Sequence, residues 1–194
     1  MGTRGLVGFV IDKTEKLSYN HYDSYPSELG AATLVWLKGN LTSANRLKPE
    51  AMQAIKSLQM VDEDANPTER QVADLARFYD PNVGNRSESP VWYQVLRRCQ
   101  GDLHKTLEAG YALDSHEFAL DSSFCEWAYV VDVDAEKLDV YTGYTSRASG
   151  RWASRGRSPD GSFPIQRILS VPFADAATMD VEYFVKTATV ASSS

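Results

Sequence analysis

This 194-residue chain has two cysteines, three histidines and no apolar run long enough to cross a bilayer. Without such a run no membrane span is expected. The opening residues lack the basic-then-apolar pattern of a secretory signal, so the expected setting is cytoplasmic. Cys99 and Cys125 stand outside any CxxC pair. They make no disulfide framework and read as reduced, buried, small hydrophobes rather than nucleophiles. His21, His104 and His116 never pair with one another or with a cysteine at ligand spacing. No zinc site is therefore expected, and the metal assignment is none. P-loop, GxGxxG, GxSxG, HExxH and EF-hand patterns are also missing, so no cofactor is expected. Asp132-Val133-Asp134 offers two carboxylates to a cation, but in a hairpin, turn chemistry explains them more simply. A net charge of −6 speaks against a general nucleic-acid binder.

What remains is an ordinary globular composition, 43% hydrophobic and 24% charged, long enough for one domain over 1–194 with a proper core. GLVGFVID (5–12) reads as a buried strand, and EKLSYNHYD (15–23) as its hairpin partner across Lys13-Thr14. Ser24-Tyr25-Pro26-Ser27 reads as a turn into a helix capped by Ser27 and ending near Gly39. PEAMQAIKSLQM starts a second helix at Pro49. NPTERQVADLARFYD carries a capping-box pattern from Asn66 to Glu69. SPVWYQVLRRCQGDLHKTLEAG gives two more helices, divided at Gly101 and stopped at Gly110. EWAYVVDVDAEKLDVYTGY is a hairpin turning at Asp134-Ala135-Glu136, QRILSVPFAD a further strand, and DAATMDVEYFVKTAT one closing helix. The expected tail 191–194 is frayed. Strands at both ends with helices between them predict α+β, with an antiparallel or mixed sheet under packed helices. Phe78, Tyr79, Trp92 and Tyr93 form either core or a homo-oligomer interface; core is the simpler reading.

Two stretches carry candidate chemistry. The first is YNHYDSYP, where Tyr19, Asn20, His21, Tyr22, Asp23, Ser24 and Tyr25 crowd together before Pro26. On a strand, Tyr19, His21 and Asp23 share one face. His21 is then the general acid or base, Asp23 orients it, and Tyr19 offers a hydrogen bond to a developing oxyanion. Thr3 and Arg4 begin the neighbouring strand, and an arginine fork fits a carboxylate or phosphate. Backbone N–H groups at the helix start add anion-binding capacity. The simpler alternative is a polar cluster closing a sheet edge. The second stretch, 145–164, is rich in Arg, Gly and Ser. With Arg147, Arg151, Arg155 and Arg157 in it and Arg167 just beyond, against Asp160 alone, it reads as a solvated flexible loop or an anion lid.

MGTRGLVGFVID followed by YNHYDSYPSELG resembles a group of uncharacterised proteins of phages, bacteria and fungi that open MGTRG and carry a YDSYP-like turn before a helix. The resemblance covers about 30 residues, extends to the EWAYVVDVDAEKLDVYTGY hairpin, and brings no reaction with it. More broadly, the order of elements resembles the N-terminal-nucleophile hydrolases, which implies an αββα sandwich. Their chemistry needs Cys, Ser or Thr as the first residue, here Thr3 after a second cleavage beyond Met1. Archaeal inosine monophosphate cyclohydrolase has a similar fold without that nucleophile, so such an architecture also hosts nucleotide chemistry.

The expectation is a metal-independent hydrolase of a small anionic molecule, foremost a nucleotide or cyclic nucleotide. His21, Tyr19 and Asp23 are its catalytic candidates. Thr3, Arg4, Asn20, Tyr22, Tyr25, Arg147 and Arg151 are the substrate-binding candidates. In a phage-borne chain such an enzyme would counter a nucleotide signal of host immunity. The alternatives are a nucleotide-sequestering protein, an amide hydrolase of the N-terminal-nucleophile type, and a protein-interaction module.

Overall fold

The strand GLVGFVI holds no polar side chain, and all seven of its residues are buried. A strand so apolar needs neighbours on both edges and cover on both faces. In the computed structural model, which describes residues 2–84, 89–157 and 161–193, it has all of these. The strands are β1 (Gly5–Ile11), β2 (Thr14–Asn20), β3 (Gln59–Val61), β4 (Tyr111–Leu113), β5 (Trp127–Asp132), β6 (Lys137–Thr142) and β7 (Gln166–Pro172). The helices are α1 (Ala31–Gly39), α2 (Pro49–Ser57), α3 (Glu69–Asp74), α4 (Trp92–Val95), α5 (Leu103–Ala109), α6 (Phe173–Thr178) and α7 (Val181–Ala191).

One five-stranded sheet runs β2-β1-β5-β6-β7, and every neighbouring pair is antiparallel except β1 with β5. The β1–β2 turn is Asp12-Lys13, both at left-handed φ (51° and 64°), as a two-residue hairpin turn of matching twist requires. Asp134, from the next hairpin, accepts the N–H groups of Asp12 and Lys13 at 2.8 and 2.7 Å. Asp132 accepts from Ala135 N at 2.9 Å. The DVD carboxylates are thus occupied with turns.

One face of the sheet (Val7, Phe9, Ile11, Tyr129, Val131, Leu138, Val140) packs on α1, α2, α6 and α7 through Leu34, Leu37, Ile55, Phe173 and Phe184. The other face (Leu6, Val10, Leu17, Ala128, Val130, Tyr141) is covered by Trp152, Ile165 and Ala119. A third cluster, with Phe78, Trp92, Val95 and Cys99, lies beneath the parallel two-stranded ribbon β3–β4. Phe78 and Trp92 are buried in it, with Tyr79 and Tyr93 packed against it, so these four rings serve as core. The class is α+β. A second large sheet, which an αββα sandwich would stack on the first, is not formed by the described residues.

Several boundaries differ from the sequence reading, each for a local reason. β2 stops at Asn20 instead of Asp23, because the Asn20 amide turns inward to Tyr22 O and Ser24 Oγ. The following helix is capped by Tyr25, not Ser27, and opens with a wide turn, Pro26–Gly30, in which Gly30 N reaches Tyr25 O. The capping box sits two residues late, on Thr68 and Gln71. Gln59 and Met60 leave the second helix to pair with β4. The closing helix is two helices, since Asp180 caps α7 by accepting from Tyr183 N. Ser192 and Ser193 continue bonding to Ala188 and Val190 rather than fraying; Ser194 lies outside the described residues.

Gly5 sits where β1, β5 and the Ser24 turn meet. A Cβ there would stand 2.5 Å from Trp127 O and 2.8 Å from Ser24 Cβ. Gly5→Ala should therefore lower the unfolding free energy by about 1–3 kcal/mol, as overpacking does. Urea unfolding checks this. A loss below about 0.5 kcal/mol, the scatter of harmless surface changes, would mean that the turn is not clamped to the strand.

Candidate functional site

The segment 21–25 crosses the sheet at the start of β1 and β5, and two of its crowded residues are hidden braces. Asn20 is buried with its amide on Tyr22 O and Ser24 Oγ, the latter at 2.9 Å. Ser24 is fully buried; its N–H donates to Thr3 O at 3.3 Å and its carbonyl accepts from Tyr129 Oη at 3.1 Å. Asp23, at left-handed φ 54°, is exposed, and its carbonyl accepts from Leu29 N. This bend separates Asp23 from His21, so the shared face expected for Tyr19, His21 and Asp23 is not formed. Asn20 acts as a brace, and the carboxylate expected to orient the imidazole points elsewhere.

Tyr19 takes that role. Its hydroxyl lies 2.7 Å from His21 Nδ1. Tyr22 meets the imidazole edge-on, ring centroids 4.2 Å apart, and Tyr19 meets Phe118 at 5.3 Å. Two guanidinium groups flank the pair. Arg4 lies over the Phe124 ring at 4.7 Å; Arg97 lies over Tyr22 at 5.6 Å and Tyr93 at 5.7 Å, donating to Gln100 Oε1. Among the described residues, neither arginine has a carboxylate within ion-pair distance.

These surroundings set the protonation states. Burial first, then the charges of Arg97 and Arg4, hold the His21 pKa below its ordinary 6.5. Burial raises the Tyr19 hydroxyl above its ordinary value, with Arg4 opposing. At neutral pH the pair is a neutral imidazole beside a protonated phenol. With Nδ1 taken by Tyr19, Nε2 has no partner among the described residues.

A groove runs past the pair, lined by Gly2, Thr3, Arg4, His21, Tyr25, Glu126 and Tyr144. Thr3 is buried. Glu126 is tied to Arg4 by paired bonds, Arg4 N to Glu126 Oε1 at 3.2 Å and Glu126 N to Arg4 O at 3.0 Å. Tyr25 and Tyr144 in its lining are exposed, as are Tyr22 against His21 and Phe124 under Arg4; among the described residues Tyr183 on α7 is a further exposed aromatic. Gly2 is needed here, because a Cβ would stand 2.2 Å from the Tyr22 ring.

Arg147 and Arg151 are not brought to it. Arg151 pairs with buried Asp132 at the far end of β5, five residues from Trp127, or about 17 Å along a strand. Arg155 pairs with Glu15 at 2.8 Å, Arg167 with Asp139 at 3.5 Å, and Arg157 lies over Phe163 at 4.0 Å. Arg147 is exposed, with its N–H on Thr145 Oγ1. Fully buried Trp152 anchors the segment on the second face of the sheet, residues 153–157 after it are exposed, and none of its described residues lines this groove. Its residues 158–160, Asp160 included, lie outside the described residues.

Sequence reasoning missed Arg97, Tyr93, Phe118, Phe124 and Tyr144, which arrive from four distant segments. The one local signal was the pairing of Trp92-Tyr93 with Arg97-Arg98, aromatic and basic residues at helical spacing. No family model, curated protein or solved structure matches the chain. Among the described residues, no helix is long and apolar enough to cross a membrane, and no group of three His, Cys, Asp or Glu is placed to hold a metal ion.

Because burial and, after it, the charges of Arg97 and Arg4 oppose protonation, His21 should titrate below 6.5 in the folded protein, and Arg97→Ala should move its midpoint upward. Imidazole NMR shifts followed across pH measure both. A folded pKa below the unfolded one also means that stability falls as pH drops below 6.5, and His21→Gln should shrink that fall. An unmoved midpoint in Arg97→Ala would mean that the guanidinium does not act on the ring.

Proposed function

We propose that this groove binds a small anion carrying an aromatic group, of the nucleotide class, and hydrolyses a phosphate ester in it. What carries the reading is a neutral His21, oriented by Tyr19, beside two guanidinium groups that form no ion pair among the described residues. On an acidic chain, two uncompensated arginines beside exposed aromatic rings make a locally positive, stacking-competent pocket. Arg4 and Arg97 hold the phosphate, and Tyr25 and Tyr144 offer faces to a base.

In this scheme His21 Nε2 takes a proton from water as the water oxygen attacks phosphorus. The phosphorus–oxygen bond to the leaving group breaks, and the departing oxygen receives the proton that His21 took, which returns the ring to its neutral form. For this the resting ring carries its proton on Nδ1 and donates it to the Tyr19 hydroxyl oxygen, which leaves Nε2 unprotonated; the same bond persists as the ring becomes cationic. The arginines compensate the charge that accumulates on the phosphoryl oxygens. Glu126 faces the same groove and is suited to accept from a ribose hydroxyl or a base amino group.

A second reading, sequestration without cleavage, shares every contact except the proton transfer. Incubation with a panel of linear and cyclic nucleotides, read by thermal shift and by mass spectrometry of products, separates the two. The expected result is a shift and a product in wild type, the shift lost in Arg4→Ala, and the product reduced about 100-fold or more in His21→Gln with the shift kept. A shift with no product in wild type would favour sequestration. No shift and no product anywhere on the panel would overturn both readings.

A further inference from the structure

A second groove opens on the other side of the Tyr19–His21 pair, lined by Tyr19, Glu63, Tyr93, Leu113, Asp114, Ser115 and Phe118. It shares its wall with the first: Tyr19 lines the second groove, and its hydroxyl reaches the His21 that lines the first. Arg97 straddles this ridge, over Tyr22 beside His21 on one side and Tyr93 on the other. Arg4 acts on both members of the pair, lowering the pKa of each. The positive charge is therefore centred on the ridge, with an aromatic slot to either side.

The two slots differ in polarity. The first sets Arg4 against a single carboxylate, Glu126, whose Oε1 accepts from Arg4 N. The second ends in carboxylates, Glu63 and Asp114, and continues into an acidic margin with Asp62, Asp64 and Glu117. Asp114 is already engaged with His116 at 2.7 Å, whereas Glu63 has no partner among the described residues. A phosphate would be repelled there. A nucleobase would be welcome: its faces stack on Tyr19, Tyr93 and Phe118, and its N–H edge donates to a free carboxylate. Guanine, with two adjacent donors, suits a carboxylate best.

Resting on the proposed function, we infer that the ligand is a dinucleotide, with one base in each groove and the linking phosphate on the Tyr19–His21 ridge between Arg4 and Arg97. The base that fills the second groove presents hydrogen-bond donors to Glu63. This arrangement puts the bond to be cleaved at His21 and explains why two aromatic slots meet at one histidine. Hydrolysis then converts one phosphodiester and one water into a phosphomonoester and a free hydroxyl. No other reactant is consumed.

The test is calorimetric titration of the full chain with three probes: guanosine monophosphate, linear guanylyl-guanosine and cyclic diguanosine monophosphate. Mass spectrometry of each mixture follows, and the titrations are repeated on Glu63→Gln and Tyr93→Ala. Glu63 is exposed, so its variant folds whatever happens to Tyr93→Ala. The expected result is that a dinucleotide, linear or cyclic, binds about 10- to 100-fold tighter than the mononucleotide. Glu63→Gln should erase most of that preference. The linear and cyclic arms report which topology the ridge accepts. Equal affinity for one and two bases, or a Glu63→Gln variant that keeps the full preference, would overturn the inference and leave the mononucleotide reading in place. No binding by any probe to wild type would take down the proposed function, and the inference with it.

Discussion

The site depends on the parallel pairing of β1 with β5. A parallel pair brings two strand starts to the same edge, so Gly5 and Trp127 lie side by side and the residues just before them, Arg4 and Glu126, exchange backbone and side-chain bonds. The β1–β2 hairpin returns the chain to that same edge at Asn20. Three chain ends thus converge where no sheet hydrogen bonds remain to be made, and polar backbone left there must find other partners. The 21–25 segment supplies them, from Ser24 N–H to the Thr3 carbonyl and from the Asn20 amide to the Tyr22 carbonyl. The groove is what remains open after that edge is closed.

Charge is divided with the same economy. Asp132 and Asp139 are almost fully buried within the sheet, and a buried carboxylate without a partner costs several kcal/mol. Arg151 serves the first, and Lys137 and Arg167 the second. The arginine-rich segment therefore answers a structural demand on one face of the sheet. Arg4 and Arg97 have no such duty. They rest on aromatic faces, which hold a guanidinium without neutralising it. The arginines able to meet an external anion are those the carboxylates have left alone.

This division explains what the sequence could and could not reveal. Strands β1, β5, β6 and β7 were legible because burial on both faces or strict alternation writes itself into consecutive residues. The Gly110 stop was legible because a left-handed cap, here at φ 71°, selects glycine. The two-residue shift of the capping box was not, since Asn66 and Thr68 are both competent caps and only packing chooses between them. The closing helix broke at Asp180 because a cap outcompetes a continuous pattern. At the site, Tyr19, His21, Arg4 and Tyr25 were visible as a local crowd. Arg97, Tyr93, Phe118, Phe124 and Tyr144 were not, because only the tertiary fold brings them near. For the same reason the arginine-rich run misled: local composition records charge, and says nothing about the buried acids that use it.

The crowding of YNHYDSY has an answer in these terms. A polar cluster serving only to close an edge would pair its charges and bury its rings. Here the two residues that close the edge, Asn20 and Ser24, are buried and fully bonded, while Tyr22 and Tyr25 are half exposed. The segment thus holds two environments, with buried Asn20 and Ser24 set among half-buried or exposed neighbours. The buried set fixes the backbone, and a fixed backbone is what lets a histidine be kept neutral between two cations instead of swinging away from them. That field costs stability only where the ring would otherwise be protonated, below its ordinary pKa of 6.5, and an anion bound beside the arginines, as proposed, would relieve it. An incoming phosphate would neutralise the arginines and raise the basicity of the ring at the moment a proton has to be taken. Ligand and base would then be coupled through the same electrostatics that keep the empty site neutral.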